Sequence, residues 1–428
     1  MPTRRVLFAA VTLILLASLM ILPGAGPRAE TSLKAGIGYD FLSQQYFLDS
    51  VISEGADTIL ADWSLKTNYL DDLKGMLSAR HRPFGDERLD LSGRWEQTAD
   101  FLRLTLSEFS RIDFSGRRLY LASEYEIRSR VRGSPSGFGD DYWRAHAQAR
   151  YSQRLTDRLD WRTQVRGEYT NFTAGSATSY DHSRLSGKMG LEALFGSFST
   201  AQVDLFVARR NVSANSDLSY TSFGIEGYLW WLIGASHLDV SGRLERKDYS
   251  AAFNEDDYMF AQLSTILRLR LGGSWMVKSE ADLELLDYAA AEAVVAGYRR
   301  VRLLAMIGAE RDNVSLLAGP QIEHLAQDRA TLGGTEDYFE TGGKIAVEVF
   351  HLDLMFLTLE STTGWRNHLD DGGFWSDFLF ERLSLVGNVH LPLNLTWDIF
   401  FSAEWEWHER ESDNSRLYLL STSLTRSL

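Results

Sequence analysis

Residues 143–151 read W-R-A-H-A-Q-A-R-Y and residues 161–169 read W-R-T-Q-V-R-G-E-Y. Each stretch opens and closes on an aromatic residue. Between the rings, small or apolar residues (Ala145, Ala147, Ala149; Thr163, Val165, Gly167) alternate with strongly polar ones (Arg144, His146, Gln148, Arg150; Arg162, Gln164, Arg166, Glu168). A period of two is the signature of a strand. With a turn at Thr156-Asp157-Arg158, the two stretches form a hairpin whose odd-numbered residues share one face. That face carries Trp143, Tyr151, Trp161 and Tyr169, and the other sets Gln148 opposite Arg166 and His146 opposite Glu168. Eight residues at ~3.3 Å rise, tilted ~40°, climb about 20 Å, close to the ~25 Å apolar band of a membrane-spanning barrel with aromatic girdles at both interfaces. Trp397 and Trp405 repeat the spacing near the C-terminus. A soluble β-sandwich also alternates, but its apolar face packs a core and gives no reason for rings at both strand ends.

The same reading extends outward over the chain. Alternating runs succeed one another from residue 58 to the C-terminus with no linker or low-complexity tract, and predict about 20 strands (18–22). Short turns are expected at Thr156-Asp157, Gly196, Gly272-Gly273, Asp312-Asn313 and Pro392. Longer polar loops are expected at 132–141, 172–181, 249–257, 289–296, 327–337 and 366–374. In the first part of the barrel the pattern divides residues 58–70 and 72–81 into two strands. Residues 33–48 alternate less cleanly, so the segment 30–57 is either one more strand or a piece tucked into the lumen. Before it, Arg4 and Arg5 precede an apolar run from Val6 to Leu22 and small residues with proline, the pattern of a secretory signal peptide over 1–29. No later run is long enough to be a membrane helix. An exported chain with lipid-style alternation then spans a bilayer only as a closed barrel. The expected architecture is therefore all-β: a single antiparallel up-and-down transmembrane β-barrel over 58–428.

Composition narrows the chemistry. The 428 residues contain no cysteine, which excludes disulfides and thiolate metal sites. The net charge of −14 argues against a nucleic-acid partner. Acid gathers at candidate loops, as Asp140-Asp141, Glu255-Asp256-Asp257, Glu336-Asp337 and Asp370-Asp371, and reads as solvated loop tips. No loop has calcium-loop spacing, no metal or cofactor is expected, and no catalytic motif appears. Asp181-His182-Ser183 alternates faces on a strand and cannot converge as a triad.

These features resemble the bacterial outer-membrane β-barrel class, porins in particular. The resemblance rests on the leader, the alternating strands, the paired aromatics, and a final strand from Arg416 through Leu428 like the one that the barrel-assembly machinery reads; it departs by ending in Leu rather than Phe or Trp. The class implies an outer-membrane location, contact with outer-membrane lipid and the assembly machinery, and no enzymatic activity. The expected function is passive diffusion of small polar or charged solutes through a charged lumen. The lumen or selectivity residues are Glu124, Glu126, Arg128, Arg130, Arg144, His146, Arg150, Arg162, Arg166 and Glu168, with the arginines favouring anions. The girdle residues are Trp143, Tyr151, Trp161, Tyr169, Trp397 and Trp405. Two alternatives stand beside this reading. One is a structural or secretion-complex barrel that holds a periplasmic or lumenal protein or exports a polymer. The other is a lipid-modifying barrel enzyme, for which no rim constellation is visible.

Overall fold

A computed structural model describes residues 30–427 except 55–56, 85–87, 99–100, 131–140, 173–180, 197, 251–256, 290–295, 329–336, 353, 370–376 and 410–413; for 42–72 and 130 it describes the backbone alone. The leader read over 1–29 lies outside the described residues.

Twenty strands follow in chain order: β1 (Glu30–Glu54), β2 (Asp57–Arg82), β3 (Leu89–Gln97), β4 (Phe101–Phe114), β5 (Arg117–Arg130), β6 (Tyr142–Thr156), β7 (Leu159–Phe172), β8 (His182–Phe195), β9 (Ser199–Val212), β10 (Tyr220–Ile233), β11 (Ser236–Tyr249), β12 (Tyr258–Gly272), β13 (Trp275–Tyr288), β14 (Tyr298–Arg311), β15 (Val314–Gln327), β16 (Tyr338–His351), β17 (Met355–His368), β18 (Phe378–Leu391), β19 (Leu395–His408) and β20 (Ser415–Ser427). Each pairs antiparallel with the next, and β20 returns to pair with β1, with Lys34 opposite Ser427 and Tyr46 opposite Ser415. The sheet is a closed barrel, so within its wall no strand edge is left unpaired.

Two differences from the sequence reading concern the first strands. Residues 33–48 belong to β1, which joins the wall. The stretches 58–70 and 72–81 are one strand, β2. The cause is a bulge: Leu42 pairs with Leu70 and Ser43 with Asn68, which leaves Tyr69 as the extra residue. A bulge reverses the in-out phase, and a phase reversal looks like a strand boundary.

The hairpin that decided the fold has the anticipated register. Gln148 pairs with Arg166 and His146 with Glu168, and an irregularity between Arg154 and Thr156 tightens the turn. Short turns join β4–β5, β6–β7, β10–β11, β12–β13 and β14–β15 at one end of the barrel. At Ser115-Gly116 both central residues have positive φ (39° and 77°), the conformation a two-residue hairpin needs to match strand twist.

At the other end, the bases of the longer loops share one device. The residue just before a strand accepts the backbone N–H of the last residue of the strand before it. Asp181 takes the amide of Phe172 (2.8 Å), Asp257 that of Tyr249 (2.5 Å), Asp337 that of Gln327 (2.6 Å) and Asp377 that of His368 (2.8 Å). Ser219 does the same for Val212 (2.9 Å) and Asn414 for His408 (2.7 Å). Asp257 and Asp337, which the sequence reading placed among solvated acids, are therefore clasps that set where pairing ends. The recurring Asp-Tyr or Asp-Phe step at the start of β12, β16 and β18 is the signal that marks them.

Candidate functional site

The ladder registers assign each side chain to the outside or the lumen. Val165, Leu185, Leu205, Ile307, Leu316 and Ile345 stand on the outer face and are exposed, as residues that meet lipid must be. Trp143, Tyr169 and Trp405 stand on that face toward the long-loop end; Tyr151, Trp161 and Trp397 stand toward the short-turn end. Trp143 packs between Tyr125 and Tyr169, with ring centroids 6.1 and 5.1 Å away. These rings present flat amphipathic surfaces at the heights where hydrocarbon meets headgroups.

The lumen face is an ion-pair lattice. On β5–β7, Glu126 is buried and gathers three donors: the Tyr142 hydroxyl, Arg144 Nη2 (2.9 Å) and Arg103 Nε (3.3 Å). His146 Nδ1 lies 3.6 Å from Glu124. Arg166 donates to Glu168 (3.3 Å). Arg162 reaches along the wall to Glu192 (2.9 Å) and, two strands away, to Asp204 (3.4 Å). Arg128 and Arg150 differ from the rest. Their guanidinium groups face aromatic rings, Arg128 over Phe101 at 4.5 Å and Arg150 near Tyr120 at 6.0 Å. The side chain of Arg130 lies outside the described residues. The structure thus brings Glu126 and Arg144 together, and likewise Glu124 with His146 and Arg166 with Glu168. It gives Arg162 acidic partners from strands the hairpin alone did not reveal.

The opposite wall is packed more tightly. Glu340, 1% exposed, sits between Arg366 (2.9 Å) and Arg382 (3.1 Å), and Arg382 continues to Glu404 (2.6 Å). Arg302 grips Asp282 (2.6 Å). Arg268 on β12 meets Glu348 on β16 at 3.3 Å. Two side chains spanning that many strands can touch only if the wall between them bends sharply. The lumen side of that bend is filled by Met276, Leu304, Met306, Leu317 and Ala346, an apolar cluster inside a polar lumen. Sequence reading missed it because these residues interrupt otherwise polar faces one at a time.

At the long-loop mouth the lumen is collared by rings on successive strands. Tyr142 meets Phe172, Tyr220 meets Tyr249, Tyr258 meets Tyr288, Tyr338 meets His368, and Phe378 meets His408, with centroids 4.7–6.0 Å apart. Cations sit against the collar: Lys247 Nζ is 4.0 Å from the Tyr220 ring, and Arg366 is 4.0 Å from that of Tyr338. Among the described residues, no group of three or more acidic or histidine side chains is placed to hold a metal ion.

The architecture has solved relatives. The alcaligin outer-membrane receptor FauA from Bordetella pertussis superposes with a TM-score of 0.52 at 11% identity, over 90% of this chain and 75% of that one. The copper transporter OprC gives 0.51 at 11% identity, over 93% and 81%. A BenF-like porin from Pseudomonas fluorescens matches over 95% of this chain and 100% of its own, at 10% identity and a TM-score of 0.49. The fold is that of a bacterial outer-membrane β-barrel. No protein-family model and no curated sequence matches the chain. At such low identity the likeness to FauA and OprC carries the fold alone. What the barrel does must be argued from its own lumen.

Proposed function

We propose that this outer-membrane barrel is a passive channel for small polar or charged solutes. The observation that carries the reading is the lumen lattice, in which charged side chains line the wall and are held by neighbours across the strands. Such a surface stays hydrated and offers solutes exchangeable charge-assisted hydrogen bonds. A barrel of twenty strands encloses an aqueous space unless something fills it. The cluster around Met306 narrows one side, so the proposed path runs beside β4–β10.

The paired charges largely cancel, which shifts the burden of selectivity onto cations held only by rings. Arg128 and Arg150 are the groups most able to exchange an aromatic face for a passing anion or carboxylate. Conductance of the purified, refolded barrel in a planar bilayer under a salt gradient tests both parts. Steady ohmic openings with an anion-selective reversal potential are expected, and Arg128→Gln with Arg150→Gln moves that potential toward zero. A folded barrel that stays silent overturns the channel. Openings whose reversal potential ignores both substitutions overturn the assigned role of these arginines.

A further inference from the structure

The outer face of β4–β7 departs from the rest of the lipid-facing surface. Glu108 on β4 pairs in register with Ser123 on β5, and Ser123 with Ala147 on β6; the lipid-side phase runs through all three. Glu108 lies near the middle of β4, seven residues from Phe101 and six from Phe114. It is exposed and has no hydrogen-bond or ion-pair partner among the described residues. On the outer face of those residues, every other charged or histidine side chain lies within four residues of a strand end, where headgroups and water are in reach. A carboxyl group at mid-height in hydrocarbon finds no donor in acyl chains, and such groups mark contacts or pathways.

A second observation stands beside it. Ser123, Ala145, Ala147, Ala149 and Gly167 form a trough of small residues next to Glu108, and two adjoining hollows of 910 and 520 Å³ open there. A Cβ added at Gly167 would meet nothing within 4 Å. Leu104 and Leu106, on the same strand as Glu108, form the ridge along one side. Ridge and trough therefore lie on either side of the line through Glu108 and Ser123.

We propose that this face is the interface between two copies of the chain, related by a two-fold axis along the membrane normal that passes beside Glu108. Rotation about that axis keeps every residue at its own height. It seats the Leu104–Leu106 ridge of each copy in the trough of the other and sets the two Glu108 carboxyl groups together. An isologous contact of this kind must be self-complementary, and a ridge beside a trough is. Small residues let the two walls approach closely. The facing carboxyl groups, protonated, donate to and accept from each other, which supplies the donor that lipid cannot. Occupants other than a second copy do not explain why ridge, carboxyl and trough lie in that order.

The absence of native cysteine makes the test clean. Ser123→Cys, next to the proposed axis, and Ile307→Cys, at mid-height on the outer face of β14, are each oxidised in intact outer membranes. A disulfide-linked species of twice the chain mass is expected from Ser123→Cys and not from Ile307→Cys. Adding Ala147→Trp, or the milder Ala147→Leu, fills the trough and lowers that species at least fivefold, while heat-modifiable gel mobility reports that the barrel is folded. Monomer alone from Ser123→Cys overturns the proposal. So does an adduct with a different protein, equal crosslinking through Ile307→Cys, or an undiminished dimer in a folded Ala147 variant.

Discussion

The wall formed by β4–β7 and the wall formed by β13–β17 are built from the same alternation, yet they solve different problems. On β4–β7 the outside is small and holds a carboxyl group, while the lumen side is basic and partly stacked on rings. On β13–β17 the outside is large and aliphatic, with Leu303, Ile307, Leu316 and Ile345 exposed. Its lumen side is dense, with Glu340 and Met306 almost fully enclosed. The contrast teaches that period-two patterning assigns faces and nothing more. What each face meets depends on side-chain size and on which charges fall opposite one another.

The largest test of that contrast is the loss of a buried partner. Glu340→Ala leaves Arg366 and Arg382 facing each other without the carboxylate between them. It should cost on the order of 3–5 kcal/mol, measured by urea unfolding in lipid vesicles. Glu168→Gln removes the partner of Arg166 on the more open wall and should cost less than about 1 kcal/mol in the same assay. Comparable losses at the two sites would dissolve the distinction between the walls.

A somewhat smaller effect is expected from outside. Ile307→Arg places a charge at mid-height on the aliphatic wall and should cost about 2–4 kcal/mol. A neutral result would mean that this face does not meet hydrocarbon. The clasps come next. Asp377→Ala frees the amide of His368 and should cost about 1 kcal/mol, with faster hydrogen exchange at that amide; Asp377→Asn, which keeps an acceptor oxygen, should exchange like the parent. Smallest is the turn after Pro392, where Leu393 holds φ at 66°. Leu393→Gly should raise stability by about 1 kcal/mol, because glycine adopts that conformation without a Cβ penalty.

Much of the barrel was readable from residues alone because burial from lipid imposes phase on every strand. The pairing of His146 with Glu168 follows from the turn between them. The lattice was less readable. Arg162 meets Asp204 and Arg268 meets Glu348 across intervening strands, and such contacts depend on wall curvature, which local periodicity does not encode. β2 was divided because the bulge at Tyr69 reverses phase. Asp337 and Asp377 hid among loop acids because a clasp and a solvated tip use the same residue type. Glu108 escaped notice because an isolated acid in L-R-L-T-L-S-E-F becomes unusual only once the lipid side of β4 is known.

Asp40 accepts a hydrogen bond from Lys74 on one flank (2.6 Å) and from Ser421 on the other (2.6 Å). One carboxylate thereby ties the second strand to the twentieth. In a chain that emerges from its N-terminus, β1 and β2 are available long before β20, so this acid waits half-satisfied through most of biogenesis. Its second donor arrives with the final strand. Completion of the cylinder is thus a late event with a very large loop to close, and such long-range pairing is slow and exposes unpaired strands meanwhile. The seam, more than any hairpin along the way, sets how long the nascent protein depends on helpers.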